Sequence, residues 1–332
     1  MQGRLLLALV AFAVVAALSF SEARAQAKNT MVLEARIPLG DVRGRIDHLA
    51  VDLSRGLLFV AELENNSLGV VDINGRTVRH RIIDLSSPQG VAYLAQSDIV
   101  LAANGGDGSL RFFSAGDYSE TGRVDLGNDA DNIRVDVRSG LVVVGYGDGA
   151  LVVVDPASRR KIADIPLDAH PEGFQLDAGS KRAFVNIPKS QQIAVVDLGI
   201  GNQVSVWPLA DRGNFPMAIE GGAARVFVGF RDPPAIGVYS TLDGKLLHKM
   251  DACGDVDDLH VDTKRRRLYA SCGDGFVDVF SVSGGDYLRA DRIPSAVGAR
   301  TSLFIPQLDR LFIAARATPQ EPAAILVFRP SD

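Results

Sequence analysis

The chain is 332 residues long, 47% hydrophobic and 23% charged, with a formal net charge of −5. That is globular composition, which argues against a disordered chain and against a membrane-embedded one. The acidic balance argues against nucleic acid as the main partner, because phosphate binding needs a basic footprint.

The first element reads as a secretory signal peptide over residues 1–25. Arg4 supplies the positive start, Leu5 to Phe20 the apolar stretch, and Ala23-Arg24-Ala25 a small-x-small cleavage site, with Ala25-Gln26-Ala27 as a second choice. The apolar run is short for a membrane span. Cleavage would remove Arg4, Arg24 and Glu22, leaving 33 basic and 39 acidic residues, a net charge of −6. Residues 26–332 are expected to form one domain, periplasmic or secreted.

From Ile46 onward one pattern recurs seven times. Its anchors end at Asp52, Leu94, Asp136, Asp177, Glu220, Asp262 and Ile305, spaced 42, 42, 41, 43, 42 and 43 residues apart. Seven residues after each anchor comes Phe59, Leu101, Val143, Phe184, Phe227, Tyr269 or Phe312. Two residues later comes Ala61, Ala103, Gly145, Asn186, Gly229, Ser271 or Ala314, a column expected to be small because strands crowd toward an axis. A third column is β-branched and aromatic: SLGVVD, SLRFFS, ALVVVD, QIAVVD, AIGVYS, FVDVFS and AILVFR. Each unit therefore reads as four short antiparallel strands, A to D. Gly106-Asp107-Gly108, Gly147-Asp148-Gly149 and Gly273-Asp274-Gly275 mark B–C turns. Repeats of about 40 residues with four strands specify an all-β, seven-bladed β-propeller.

The seventh unit stops after its third strand. Glu34-Ala35-Arg36-Ile37-Pro38 echoes Ala290-Asp291-Arg292-Ile293-Pro294, the outer strand of the sixth unit. The N-terminal strand is thus expected to complete the last blade and close the ring.

The segment LFVAELENNSLGVVDINGRTV, Leu58 to Val78, resembles the YVTN-repeat β-propeller family, as does SSPQGVAYL from Ser86, which carries that family's Pro-x-Gly-Val approach to strand A. The resemblance covers essentially the whole mature chain and implies an extracytoplasmic propeller. It specifies function weakly, because one fold serves many sites. Only Pro88-Gln89-Gly90 and Pro171-Glu172-Gly173 keep the Pro-x-Gly pattern.

The departures fall where strand A begins, at the mouth of the central channel. The two residues leading into each strand A are Asp47-His48, Gln89-Gly90, Asp131-Asn132, Glu172-Gly173, Phe215-Pro216, Asp257-Asp258 and Arg300-Thr301. Five carboxylates, one His and one Arg would ring a single opening and attract a cation or a cationic ligand. The candidate ligand-binding set is Asp47, His48, Gln89, Asp131, Asn132, Glu172, Asp257, Asp258 and Arg300. A metal reading uses Asp47, His48, Asp131 and Asp257, with Ca²⁺ or Mg²⁺ suited to the oxygens and Zn²⁺ admitted by the His. A hydrated mouth whose acids cap turns is the plainer reading.

Cys253 and Cys272 are the only cysteines, and a disulfide between them is one reading; two unpaired thiols are the other. His170 is a second-rank mouth candidate. His260 falls within a strand A, and His80 and His248 fall in outer strands. Tyr146, Phe230 and Arg231 end B strands, where they would line the upper pocket or pack between blades. No nucleophile elbow, P-loop or dinucleotide fingerprint is present. Two functions stay open. One is a monomeric binding or interaction protein whose acidic mouth takes a small molecule or another periplasmic protein. The other is a divalent-metal-dependent hydrolase or lyase, lactonase-like.

Overall fold

A computed structural model describes residues 29–332 apart from Gly221 and Gly284. The signal-peptide segment 1–25 lies outside the described residues. Among those described, 28 strands form seven four-stranded antiparallel sheets arranged as a ring. Six blades are continuous in sequence, each running from an inner strand A to an outer strand D. The seventh is composite: Met31–Pro38 lies antiparallel to Ala324–Pro330, from Met31 opposite Pro330 to Pro38 opposite Ala324. The closing strand begins three residues before the Glu34–Pro38 echo. Thr30 extends the join, donating its backbone N–H to Asp291 at 3.0 Å and accepting from the Ser331 N–H at 2.9 Å. No helix among the described residues is long and apolar enough to cross a membrane.

The repeat anchors have a local cause. Asp52, Asp177 and Asp262 end strand A, Asp136 directly follows it, and all four turn back to cap the A–B turn. Asp52 accepts from the Ser54 N–H at 2.9 Å, Asp136 from Arg138 at 3.1 Å, Asp177 from Gly179 at 3.0 Å and Asp262 from Arg265 at 3.1 Å. Asp72, Asp155 and Asp197 do the same at C–D turns. Short acceptor side chains hold such turns better than any residue unable to reach its own backbone.

The core is not inside the blades but between them. Seven buried clusters fill the seven blade-to-blade interfaces, one of them joining blade seven to blade one through Phe312, Ile325, Leu58 and Val60. The column of Phe59, Leu101, Val143, Phe184, Phe227, Tyr269 and Phe312 always faces the following blade.

The small column has a cause other than crowding at the axis. In six blades one strand B residue opposes the two residues that lead into strand A. Asp47 donates to the Ala61 carbonyl at 2.7 Å, while Ala61 donates to His48 at 3.0 Å. Asp131 and Asn132 straddle Gly145, and Glu172 and Gly173 straddle Asn186, in the same way. In blades two, five and six the ladder continues through this point as a bulge, so Gln89, Phe215 and Asp257 fall inside strands. The bulge presses the lead-in onto strand B. A Cβ on Gly229 would sit 2.6 Å from Pro216 Cγ.

Candidate functional site

Bulges re-aim side chains, and here they aim seven lead-ins at one opening. Asp47, His48, Gln89, Asp131, Asn132, Glu172, Asp257, Asp258 and Arg300 all line a single cavity of about 620 Å³ at the mouth of the channel. The Pro-x-Gly lead-in of blade two contributes by its smallness. A Cβ on Gly90 would lie 2.1 Å from the Asp131 carbonyl, so glycine is what lets the Asp131 backbone come close.

The mouth is not the acidic ring expected from the lead-ins alone. Six carboxylates line it, Asp129 being the addition, and so do four guanidiniums: Arg45, Arg134, Arg231 and Arg300. The extra arginines reach in from other registers: the D–A loop, the middle of strand A and the end of strand B.

Two of them form a closed network. Arg231 lies over the Phe215 ring at 3.7 Å, pairs with Asp255 at 3.1 Å and contacts Asp257. Arg300 pairs with Asp255 and with Asp257, each at 2.8 Å. Asp47 is 6% exposed and meets Arg45 at 3.1 Å, with His48 Nε2 at 3.9 Å. Burial, then Asp131 and Asp257, raises the Asp47 carboxyl to about 8. Burial and Asp131 likewise raise Glu172 to about 8, with His170 opposing. Asp258 is pushed by burial to about 7, although nearby His48 and the Ser302 N–H, at 2.6 Å, favour its ionised form.

His170 is drawn fully into the site. Burial lowers its pKa, but Asp131, the Gly147 carbonyl at 2.6 Å and Asp129 outweigh that and lift it to about 9. His260 lines the channel below, bonded to Ser302 Oγ at 3.0 Å, and burial drops it to about 4. Arg134 also lines the channel. It donates to the Ile133 carbonyl at 2.8 Å, faces the Phe174 ring at 5.4 Å and makes no ion pair among the described residues. Gln89 is spent on Asp129 at 3.0 Å, and the buried Asn132 Oδ1 has no partner among the described residues.

Tyr146 and Phe230 do not line the cavity. Tyr146 bonds to Asp164 at 2.7 Å on its own outer strand, and Phe230 is buried between blades four and five. His80 stacks on Tyr118 at 4.6 Å, away from the mouth.

The four residues of the metal reading share the cavity but do not form a ligand set. Among the described residues, three donor atoms lie within 4.8 Å of one another only at Cys253, Cys272 and Asp274. Asp257 is already taken by two guanidiniums. As arranged, Asp47, His48, Asp131 and Asp257 do not bring three donor atoms to one centre, which a divalent cation needs. The two cysteines are joined to each other in a disulfide, Cα atoms 5.9 Å apart, tying the blade-six lead-in to the end of its strand B.

No family model matches the chain, and no curated protein matches it. Solved structures do. A chain of Kuenenia stuttgartiensis hydrazine synthase superposes with a TM-score of 0.77 at 15% identity, over 88% of this chain and 97% of that one. A chain from a crystal structure of a mitotic checkpoint complex superposes with a TM-score of 0.78 at 13% identity, over 99% of this chain and 100% of that one. At such identities the likeness establishes the seven-bladed propeller fold and nothing about chemistry.

Proposed function

We propose that this chain is an extracytoplasmic binding propeller of the YVTN-repeat kind, periplasmic or secreted, whose mouth takes a small ammonium-bearing molecule. The carrying observation is the trio Asp47, Asp131 and Glu172. Blades one, three and four bring these acids to one cavity, and Asp131 helps to push the other two up to about 8. An ammonium group among them would relieve that repulsion and let Asp47 and Glu172 ionise. Arg134, unpaired in the channel, would meet an anionic end, so a zwitterion fits better than a simple amine. A cavity of about 620 Å³ is a small-molecule size. The compartment rests on the character of residues 1–25 and on the Cys253–Cys272 pairing, which an oxidising space permits. The alternative, a metal-dependent lactonase or lyase, is less well supported, because among the described residues no three His, Cys, Asp or Glu donors converge at the mouth.

Matched compounds test the reading: 4-aminobutyrate, butylamine and butyrate, titrated calorimetrically in two buffers of different ionisation enthalpy. Binding of 4-aminobutyrate, and more weakly of butylamine, should release protons, and Asp131→Asn should weaken it about tenfold, as loss of one charge-assisted contact would. Binding of butyrate alone, binding without proton release, or no response to any of the three would overturn it.

A further inference from the structure

The interface between blades three and four differs from the other six. The column that faces the following blade carries a ring in five blades, Phe59, Phe184, Phe227, Tyr269 and Phe312, all essentially inaccessible, and Leu101 in blade two. Blade three carries Val143, the smallest of the seven. Its strand A is also the shortest among the described residues, ending at Val135. Phe174 of blade four supplies a ring to that interface instead, wholly buried in the same cluster as Val143. Toward the face opposite the mouth, beneath the A–B turns, the two blades leave a cleft of about 530 Å³.

The walls of this cleft are apolar: Leu141, Val143 and Val153 from blade three, Leu176 and Leu198 from blade four. Val137 stands at its lip, 80% exposed. Arg138, Lys181 and Arg182 also line it, and none of the three makes an ion pair among the described residues. Two acids share the rim, but both are committed to their own turns. Asp136 accepts from the Arg138 N–H at 3.1 Å and from Ser139 Oγ at 2.6 Å, and Asp177 from the Gly179 N–H at 3.0 Å and from Ser180 Oγ. An apolar slot with unpaired cations at its lip complements a chain with an anionic head.

We propose that this cleft is a second binding site, independent of the mouth, for a free medium-chain acyl carboxylate. The tail lies against Val143 and Leu176 between the blades, and the carboxylate meets Lys181 and Arg182.

Titration calorimetry of the mature protein with decanoate, and with decanol as the uncharged control, tests it. Decanoate should bind with one-to-one stoichiometry and at least about tenfold more tightly than decanol, the difference one charge-assisted contact makes. Val143→Phe puts a larger side chain on the cleft wall and should abolish decanoate binding, with a melting curve showing that the variant still folds. The pair Lys181→Glu with Arg182→Glu should weaken decanoate about tenfold or more and leave 4-aminobutyrate titrations unchanged. No decanoate binding, equal binding of decanol, binding that survives Val143→Phe, or decanoate uptake only through anionic vesicles would overturn the proposal.

Discussion

Asp47 and Glu172 keep their protons near neutrality because folding buries them beside Asp131. The sign of the consequence is definite. An acid raised from near 4 to about 8 binds more protons in the folded chain than in the unfolded one across that window, so stability falls as pH rises through it. His170 works in the same direction from about 6.5 to about 9, since its raised pKa adds stability at low pH that is lost on deprotonation. Asp47→Asn with Glu172→Gln should therefore flatten the fall in stability between pH 5 and pH 8. The gain at pH 8 is roughly 1–3 kcal/mol, the usual scale for relieving a buried polar mismatch, read by urea unfolding at both pH values. A variant as pH-sensitive as the parent would show that other groups set the profile. The nine lead-in candidates were legible in the sequence because a seven-fold register says which residues share an opening. Arg231 was legible as a residue lining the pocket from the end of its strand B, but not as the partner of Asp255 and Asp257. Arg45 and Arg134 were not legible at all, because they stand off that register and whether a guanidinium reaches in depends on the path of its side chain.

At the scale of the strand, closure rests on Met31–Pro38 lying in the last blade. Arg310 grips Glu34 on that strand, and Ile37 is wholly buried in the interface between blades seven and one. Deleting residues 26–40 removes this strand and exposes both the edge of Ala324–Pro330 and one wall of a core cluster. Such a chain should aggregate or fail to fold, as an unprotected edge would, and size-exclusion chromatography with circular dichroism would report it. A truncated monomer melting at the parent temperature would refute the role given to the strand. The closure was legible from the Arg-Ile-Pro echo between the first strand and the outer strand of blade six. The small column was legible as a pattern but not as a cause, since a bulge is a backbone pairing and leaves no mark of its own on residue types.

Across the whole molecule no cluster belongs to one blade, so no blade buries its apolar faces alone. Phe312→Ala, in the interface that closes the ring, should cost about 3–5 kcal/mol and lower a single unfolding transition seen by calorimetry. Two separate transitions would mean that groups of blades melt independently. The seven-fold count was legible from the spacing. The cleft between blades three and four was not, because one valine among seven equivalent residues does not say how the A–B turns of neighbouring blades meet. The composite blade also imposes an order in time. Arg36 pairs with Leu326, about 290 residues later, so the first strand made must wait for the last. At synthesis rates of about 5–20 residues per second, that span takes roughly 15–60 s to make, during which Met31–Pro38 lacks its partner. The seventh blade is therefore complete only when both Met31–Pro38 and Ala324–Pro330 are present.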